Sequence, residues 1–461
     1  MVLAKDKPVS AENIADILSS TVHERLFPAH LEPVPQLNEV YELALAFYES
    51  QVLSDQEIIH NGAYFARVRD TFTRHFLICS GEPVRLPSHS SSRLRSFFQT
   101  NQFKTGYATH GLFPYRGKFH PQMIKGLINV MGLKPGDTIL DPMMGSGTVL
   151  IEARLMGIKS IGVDMSPFCR FMAQGKIDAL SLPLSPVHVA LKNCRSVFDH
   201  FNGLAGRPER GKSATIHSQP ADLFSTLQPI LQDEKRPGAT LPDGCQIPEV
   251  YNFLLLAYLD SAGYSVRSKR KPPYEQFRAI LERYLFVASK IQRVLAGAES
   301  DLAEARALEG DARNLPLDDS SVDGILFSPP YSFAIDYLEN DLFHLNFLGV
   351  DLPRLREGMV GLRGRSLRQK FDLYKADMDK VLSECARVLR LGRICTIVVG
   401  TNNNQLSKIL RVPPEEVRGI DEILVDLASQ YGFRLLRKID RQITGMANTM
   451  RTEFVIMLQR V

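Results

Sequence analysis

Hydrophobic and polar positions change period along this chain, and the changes divide it. In "LNEVYELALAFYESQVL", Val40, Leu43, Ala44 and Phe47 recur at helical spacing, which predicts a helix with those side chains on its buried face. Residues 1–105 read as a helical N-terminal region, interrupted at Pro87–Ser96 by the serine-rich breaker "PSHSSSRLRS". From 106 to 185 the texture is α/β: "DTILDPMMGSGTVLIEARLMGIKSIGVDMSP" gives strand, glycine turn, helix and second strand within the length of a βαβ unit. Residues 186–300 alternate polar, glycine- and proline-containing stretches with helical runs such as "YEQFRAILERYLFVASKIQRVLAG", the pattern of a helical insertion. Over 301–461 the α/β texture resumes, with strands at "VDGILFS", "RICTIVVG", "GFRLLRKID" and "TEFVIMLQR". The helix "YKADMDKVLSECARVLR" carries Met378, Val381, Leu382, Cys385, Val388 and Leu389 on one face, suited to packing on a sheet. The last two strands are close enough to form an edge hairpin.

Composition narrows the class. The chain has 461 residues, 44% hydrophobic and 23% charged, as in ordinary globular proteins able to bury large cores. A net charge of +4 does not by itself identify a nucleic-acid partner. Six cysteines (Cys79, Cys169, Cys194, Cys245, Cys385 and Cys395) show no metal-ligand spacing, so reduced thiols and no metal are expected. The first residues lack the apolar run of a signal peptide, and no segment has the ~20 apolar residues of a membrane span. A cytoplasmic protein without a membrane partner is expected.

Candidate chemistry begins at "LDPMMGSGT". Gly145 and Gly147 follow a strand and precede a helix, where glycine lets the backbone turn tightly and pass close to a ligand. No Lys-Ser/Thr follows, which excludes a phosphate-binding Walker loop. Leu150 stands where a dinucleotide fingerprint needs its third glycine. Asp164 ends the next strand in "IGVDMSP", suited to ribose hydroxyls. Asp311, in "LEGDARNLP", suits an exocyclic amine of adenine, with Ala312 beside it. Each acid alone also reads as a turn or helix-cap residue. In order and at strand ends they describe an adenosine site without phosphates, which S-adenosylmethionine fits.

A second motif, "LFSPPYSFAIDY", places Ser328, Pro329, Pro330 and Tyr331 directly after an apolar strand. Proline ends sheet pairing, so the strand stops abruptly where open α/β sheets hold their ligands. "DPMMGSGT" followed by "SPPY" resembles the AdoMet-dependent amino-methyltransferases of nucleic-acid bases, in its SPPY form the DNA cytosine-N4 branch. "THGLFPYRGKFHPQM" resembles the segment that covers the methionine end of the cofactor in that family. The resemblance spans residues 106–180 and 305–461. It implies a Rossmann-like fold with a mainly parallel sheet and an antiparallel edge strand. It further implies S-adenosylmethionine as cofactor, held by Lys118, Phe119, His120, Asp141, Pro142, Met143, Gly145, Gly147, Thr148, Asp164, Asp311 and Ala312. Met143 departs from the aromatic usual after Asp-Pro.

The chemistry implied is direct methyl transfer to cytosine N4. The amine lone pair is delocalised into the ring, so acceptors must hold its N–H bonds; the Ser328 hydroxyl and Pro329 carbonyl can serve. Tyr331 can stack on a flipped base, worth about 1–3 kcal/mol. C5 methylation is disfavoured because no cysteine follows a proline at a strand end; Cys245 lies in the insertion. "KPPY" at Lys271–Tyr274 lacks a preceding strand and reads as a helix start. Within "SPPYSFAIDYLENDLFHLNFLG", Leu338, Leu342, Leu345 and Leu348 read as core, and Asp336 stays open.

For the partner, duplex DNA, a basic loop at 353–370 carries Arg354, Arg356, Arg363, Arg365, Arg368 and Lys370 against the single acid Glu357. A second basic run in the insertion holds Lys269, Arg270 and Lys271, and the insertion is the candidate for target recognition. A cognate restriction endonuclease is a conceivable companion. The alternatives are an RNA methyltransferase acting on guanine N2 or adenine N6, a non-catalytic nucleic-acid binder on the same scaffold, and, weaker, a nicotinamide oxidoreductase.

Overall fold

Period-two segments become strands where both faces can be covered. The computed structural model describes residues 21–35, 37, 39–80, 106–115, 117–205, 247–267, 272–296, 302–330, 336–442 and 452–461. In the N-terminal region, β1 (Leu31–Pro33), β2 (Phe65–Val68) and β3 (Thr71–Phe72) form a small antiparallel sheet beside helices. The main sheet contains β4 (Thr138–Asp141), β5 (Lys159–Asp164), β6 (Ala305–Glu309), β7 (Val322–Phe327), β8 (Leu389–Thr401), β9 (Phe433–Gln442) and β10 (Thr452–Arg460). Their order is β6-β5-β4-β7-β8-β10-β9, the Rossmann-like methyltransferase arrangement that the sequence led us to expect. The pairings β6–β5, β5–β4, β4–β7 and β7–β8 are parallel, while β10 runs antiparallel to both β8 and β9. The terminal hairpin is present, but its antiparallel strand lies one place inside the edge, which β9 occupies.

Alternation assigns the two faces. Ile139, Leu326, Val398 and Val455 point to one core; Leu140, Ile325, Phe327, Ile397 and Ile456 point to the other. The first face is covered by helices Pro121–Val130 and Thr148–Leu155 and by the N-terminal region. The second is covered by helices Leu367–Val388 and Ile420–Ser429. Of the six apolar residues expected on one face of the first of these helices, five lie in it and are buried, while Leu389, also buried, begins β8.

Helix Val40–Val52 differs from the expected face. Val40 is 83% and Phe47 38% exposed, while Tyr41, Leu45, Ala46 and the carboxylate of Glu49 are buried. Glu49 accepts hydrogen bonds from the Ala63 and Tyr64 N–H groups at 2.8 and 3.1 Å and from the Asn129 amide. That polar need turns the helix away from its purely apolar stripe.

Between β5 and β6 the chain makes five described helices: Pro167–Asp178, Leu184–Lys192, Cys194–Ala205, Ile247–Arg267 and Pro273–Ala296. They form a separate apolar core, with Phe168, Phe253, Tyr284 and Leu345 at its centre. Pro273 of "KPPY" is the first residue of the last helix, as its lack of a feeding strand required. Cys245 and Lys269–Lys271 lie outside the described residues. No described helix is long and apolar enough to cross a membrane.

Candidate active site

β4 and β7 are neighbours, yet the chain leaves β4 toward β5 and returns through β6 before forming β7. This reversal of strand order is where open α/β sheets leave a crevice at their carboxyl ends. A cleft with about 990 Å³ of empty space, partly open to solvent, lies there. Its floor is made of the turns after four parallel strands: Pro142–Ser146 after β4, Asp164–Ser166 after β5, Gly310–Ala312 after β6 and Ser328–Pro330 after β7.

The glycines of the first turn do different work. Gly147 has φ +76°, and a Cβ there would sit 2.8 Å from the Ala173 Cβ, so this residue lets two helices approach. Gly145 has φ +48°, but an added Cβ would meet only the Tyr115 ring, at 3.8 Å. Space above Gly145 is left for a ligand. Its N–H donates to Asp164 Oδ2 at 2.9 Å, and the Ser166 N–H donates to Oδ1 at the same distance. The Asp164 carboxylate is thereby fixed while each oxygen keeps acceptor capacity. Burial raises its pKa against those two donors.

Beneath the cleft, Asp141 is buried; its Oδ1 accepts from the Met143 N–H at 3.1 Å. Oδ2 has no hydrogen-bond partner among the described residues, and burial holds the carboxyl well above the usual carboxylate range. Among the described residues, Asp164, Asp311 and Asp341 border the cleft, against one amine, Lys118. Lys118 donates to the His110 carbonyl at 3.1 Å, and burial lowers its pKa to about 8. Such acid-rich walls disfavour a pyrophosphate. They suit a ligand with ribose hydroxyls, an adenine amine and positive charge, so the residues fit S-adenosylmethionine and not a dinucleotide.

Asp311 is gripped by a neighbour. The Arg313 Nε and Nη2 donate to its two oxygens at 2.9 and 2.8 Å, and the Arg313 N–H donates to Oδ1 at 2.9 Å. Burial raises the Asp311 pKa, but these bonds outweigh it and hold the carboxyl below its ordinary range.

β7 is buried along its whole length and ends at Phe327, directly before Ser328. Among the described residues the Ser328 hydroxyl makes a single long contact, 3.5 Å, to the Pro329 carbonyl, so both oxygens have acceptor capacity for a ligand. Tyr331 lies outside the described residues. Asp336 caps the helix Tyr337–Phe347, accepting from the Glu339 N–H, and pairs with Arg356 at 2.9 Å. In that helix Leu338, Leu345 and Leu348 are core, but Leu342 is 45% exposed.

Among the expected cofactor residues, Lys118, Phe119, Pro142, Met143, Gly145, Thr148, Asp164, Asp311 and Ala312 border the cleft, as do Ser328, Pro329 and Pro330. Three stand back. His120 caps helix Pro121–Val130, Gly147 serves helix packing, and Asp141 lies below. The sequence reading missed Tyr115, Met165, Cys169, Asp341, Met359 and Val360, which complete the walls. Met165 carried a signal as the residue following an acid at a strand end, and Tyr115 as part of "THGLFPYRGKFHPQM".

The basic segment is more ordered than a mobile loop. Helix Leu352–Gly358 and the start of helix Leu367–Val388 occupy most of it. Three of its arginines are paired with carboxylates: Arg363 with the buried Asp377, Arg356 with Asp336, and Arg368 with the exposed Asp372 one turn on. Arg354, Arg365 and Lys370 have no carboxylate partner among the described residues.

Comparison with known proteins adds a separate line. The family UPF0020, an RMKL-like methyltransferase domain, matches residues 112–201, which hold the glycine turn and Asp164. The chain is 25% identical over 290 residues to the Type II methyltransferase M.BsoBI of Geobacillus stearothermophilus, covering 56% of each chain. It is 45% identical over 53 residues to a tRNA (guanine(10)-N2)-dimethyltransferase of Methanothermobacter thermautotrophicus, 12% of this chain and 16% of that one. A probable enzyme of the same name from Methanothermococcus thermolithotrophicus is 51% identical over 119 residues, 23% of this chain and 72% of that one. The chain thus spans about half or less of the first two relatives' lengths.

Proposed function

Starting from a chain that belongs to the S-adenosylmethionine-dependent methyltransferases, we propose that it methylates the exocyclic amine of a nucleic-acid base, N4 of cytosine in DNA. The carrying observation is that Ser328-Pro329-Pro330 and the glycine turn with Asp164 border one cleft. When bound, S-adenosylmethionine supplies a methyl group on a sulfonium, an electrophile that needs no activation by acid.

The residues divide the remaining work. Asp164 takes the ribose hydroxyls, Asp311 the adenine amine, and Gly145 lets the ligand lie against the backbone. Phe119, Met143, Met165 and Ala312 give apolar surface, and Lys118 faces the amino-acid end. The Ser328 hydroxyl and Pro329 carbonyl accept the two N–H bonds of the target amine, tilting its lone pair out of the ring plane. Pro330 has no N–H to compete and stiffens the turn. Rate then comes mainly from positioning. Tyr331 stacks on the flipped base, offsetting part of the few kcal/mol that flipping costs. Arg354, Arg365 and Lys370 contact phosphates, and the insertion with Lys269–Lys271 reads the target.

A second reading has its own support. Two relatives bear the name of tRNA guanine-N2 dimethyltransferases, one of them with most of its length aligned. The same acceptors would serve guanine N2. Incubating the full chain with labelled S-adenosylmethionine and either unmethylated duplex DNA or bulk RNA, then identifying nucleosides by mass, separates the two. N4-methylcytosine from DNA is expected. N2-methylguanine from RNA would transfer the function to the second reading, and failure to bind S-adenosylmethionine would end both.

A further inference from the structure

Arg313, two residues after Asp311 in "LEGDARNLP", has been given no role of its own, yet its guanidinium holds three parts of the molecule together. Nε and Nη2 engage both oxygens of Asp311, Nη2 also donates to the Gly358 carbonyl at 2.7 Å, and Nη1 donates to Asp377 Oδ1 at 2.8 Å. Its side chain is only 14% exposed. Asp377 is buried on helix Leu367–Val388 and is shared with Arg363. Gly358 precedes Met359 and Val360, which form a wall of the cleft.

We propose that Arg313 is a positioning and specificity residue: through Asp311 it makes the site accept an adenine amine and reject a 6-carbonyl purine. This rests on the cofactor reading above. A carboxylate has about four acceptor sites. The Arg313 N–H takes a site on Oδ1 and Nη2 one on Oδ2, while the single Nε hydrogen is shared between the two oxygens at 2.9 and 3.1 Å; three hydrogens thus leave one of four acceptor sites open on a carboxylate that borders the cleft. Two parallel bonds from a planar fork also stop the carboxylate from rotating. Asp311 therefore presents a fixed group that can only accept. Adenine offers it an N–H donor. Hypoxanthine would set a carbonyl oxygen against it, two acceptors facing each other without a proton between them. The same fork anchors the wall carrying Met359 and Val360, so loss of Arg313 would loosen orientation on two sides of the ring.

The test compares S-adenosylhomocysteine with S-inosylhomocysteine, which differ at that 6-position, by calorimetry on the full chain. The wild type should prefer the adenosyl ligand roughly ten- to hundredfold, the range for a hydrogen bond to a charged group. Arg313→Gln should reduce the preference to about threefold or less, mostly by weakening the adenosyl ligand. Arg313→Lys keeps the charge and loses the fork, so it should do the same and guards against a misfolded first variant. In an Asp311→Asn background, Arg313→Lys should change the ratio no further. If Arg313 only supports the fold, both ligands weaken equally and the ratio persists, which overturns the proposal. A wild type that binds both ligands equally would also overturn it, because Asp311 would then not read the ring. A wild type that binds neither would remove the cofactor reading itself, an outcome distinct from a preference that survives in the variants.

Discussion

The floor of the cleft and the basic segment beside it are built in opposite ways. On the floor, Asp164 and Asp311 are fixed by backbone and guanidinium donors before any ligand arrives. In the segment at 353–370, three cations are paired with carboxylates of the chain, one of them buried, and the remainder stands on helix ends and a turn. A small cofactor of constant shape rewards a rigid, buried cradle. A polyanion of variable sequence is served by exposed charges that act over about 8–10 Å and tolerate misalignment.

If that contrast is right, the largest effect comes from the floor. Asp164→Ala should weaken S-adenosylmethionine binding roughly a hundredfold or more, the loss of two hydrogen bonds to a charged group, read by calorimetry. Next, Ser328→Ala should lower the single-turnover rate roughly ten- to hundredfold with an unchanged dissociation constant for the cofactor, because the hydroxyl acts on the target amine. Parallel loss of cofactor affinity would place Ser328 with the floor instead. A smaller effect is expected from Arg365→Gln combined with Lys370→Gln. Nucleic-acid affinity should fall several-fold and the salt dependence by about two phosphate contacts, with cofactor affinity unchanged.

The smallest effect concerns Lys118. Burial lowers its pKa to about 8, below the ordinary lysine value, so at pH 7 the folded state bears the cost of a desolvated ammonium. Between about pH 8 and the ordinary value the unfolded chain binds more protons, and wild-type stability rises with pH. Lys118→Met should therefore melt higher than the wild type at pH 7, with the gap closing as pH rises above 8. A gap independent of pH would mean the ammonium is solvated.

Much of the fold was legible because it rests on local signals. Period-two runs, the glycine turn and the proline stop put β4, β5 and β7 in register with the motifs. What escaped was set by distant partners. Glu49 is buried because two N–H groups 14 and 15 residues away need an acceptor, and the helix turned to supply it. Arg313 finds Asp377 64 residues along the chain. Arg356, Arg363 and Arg368 looked like free cations because their carboxylates lie in neighbouring helices or one turn on. The residues that close the cleft, Tyr115, Asp341 and Met359, come from three segments that share no motif.

β10 carries a consequence for how the molecule is made. It pairs with β8 on one side and β9 on the other, yet both partners precede it in the chain. During synthesis β8 and β9 therefore emerge with open edges, each a template for pairing with a stranger. Until β10 slots between them, β8 lacks one neighbour, and β8 is the strand that flanks β7, which leads into Ser328. A nascent chain halted before residue 452 would present the glycine turn and the proline stop on an unfinished sheet. One strand, the last, closes the free side of β8 and gives β9 its partner.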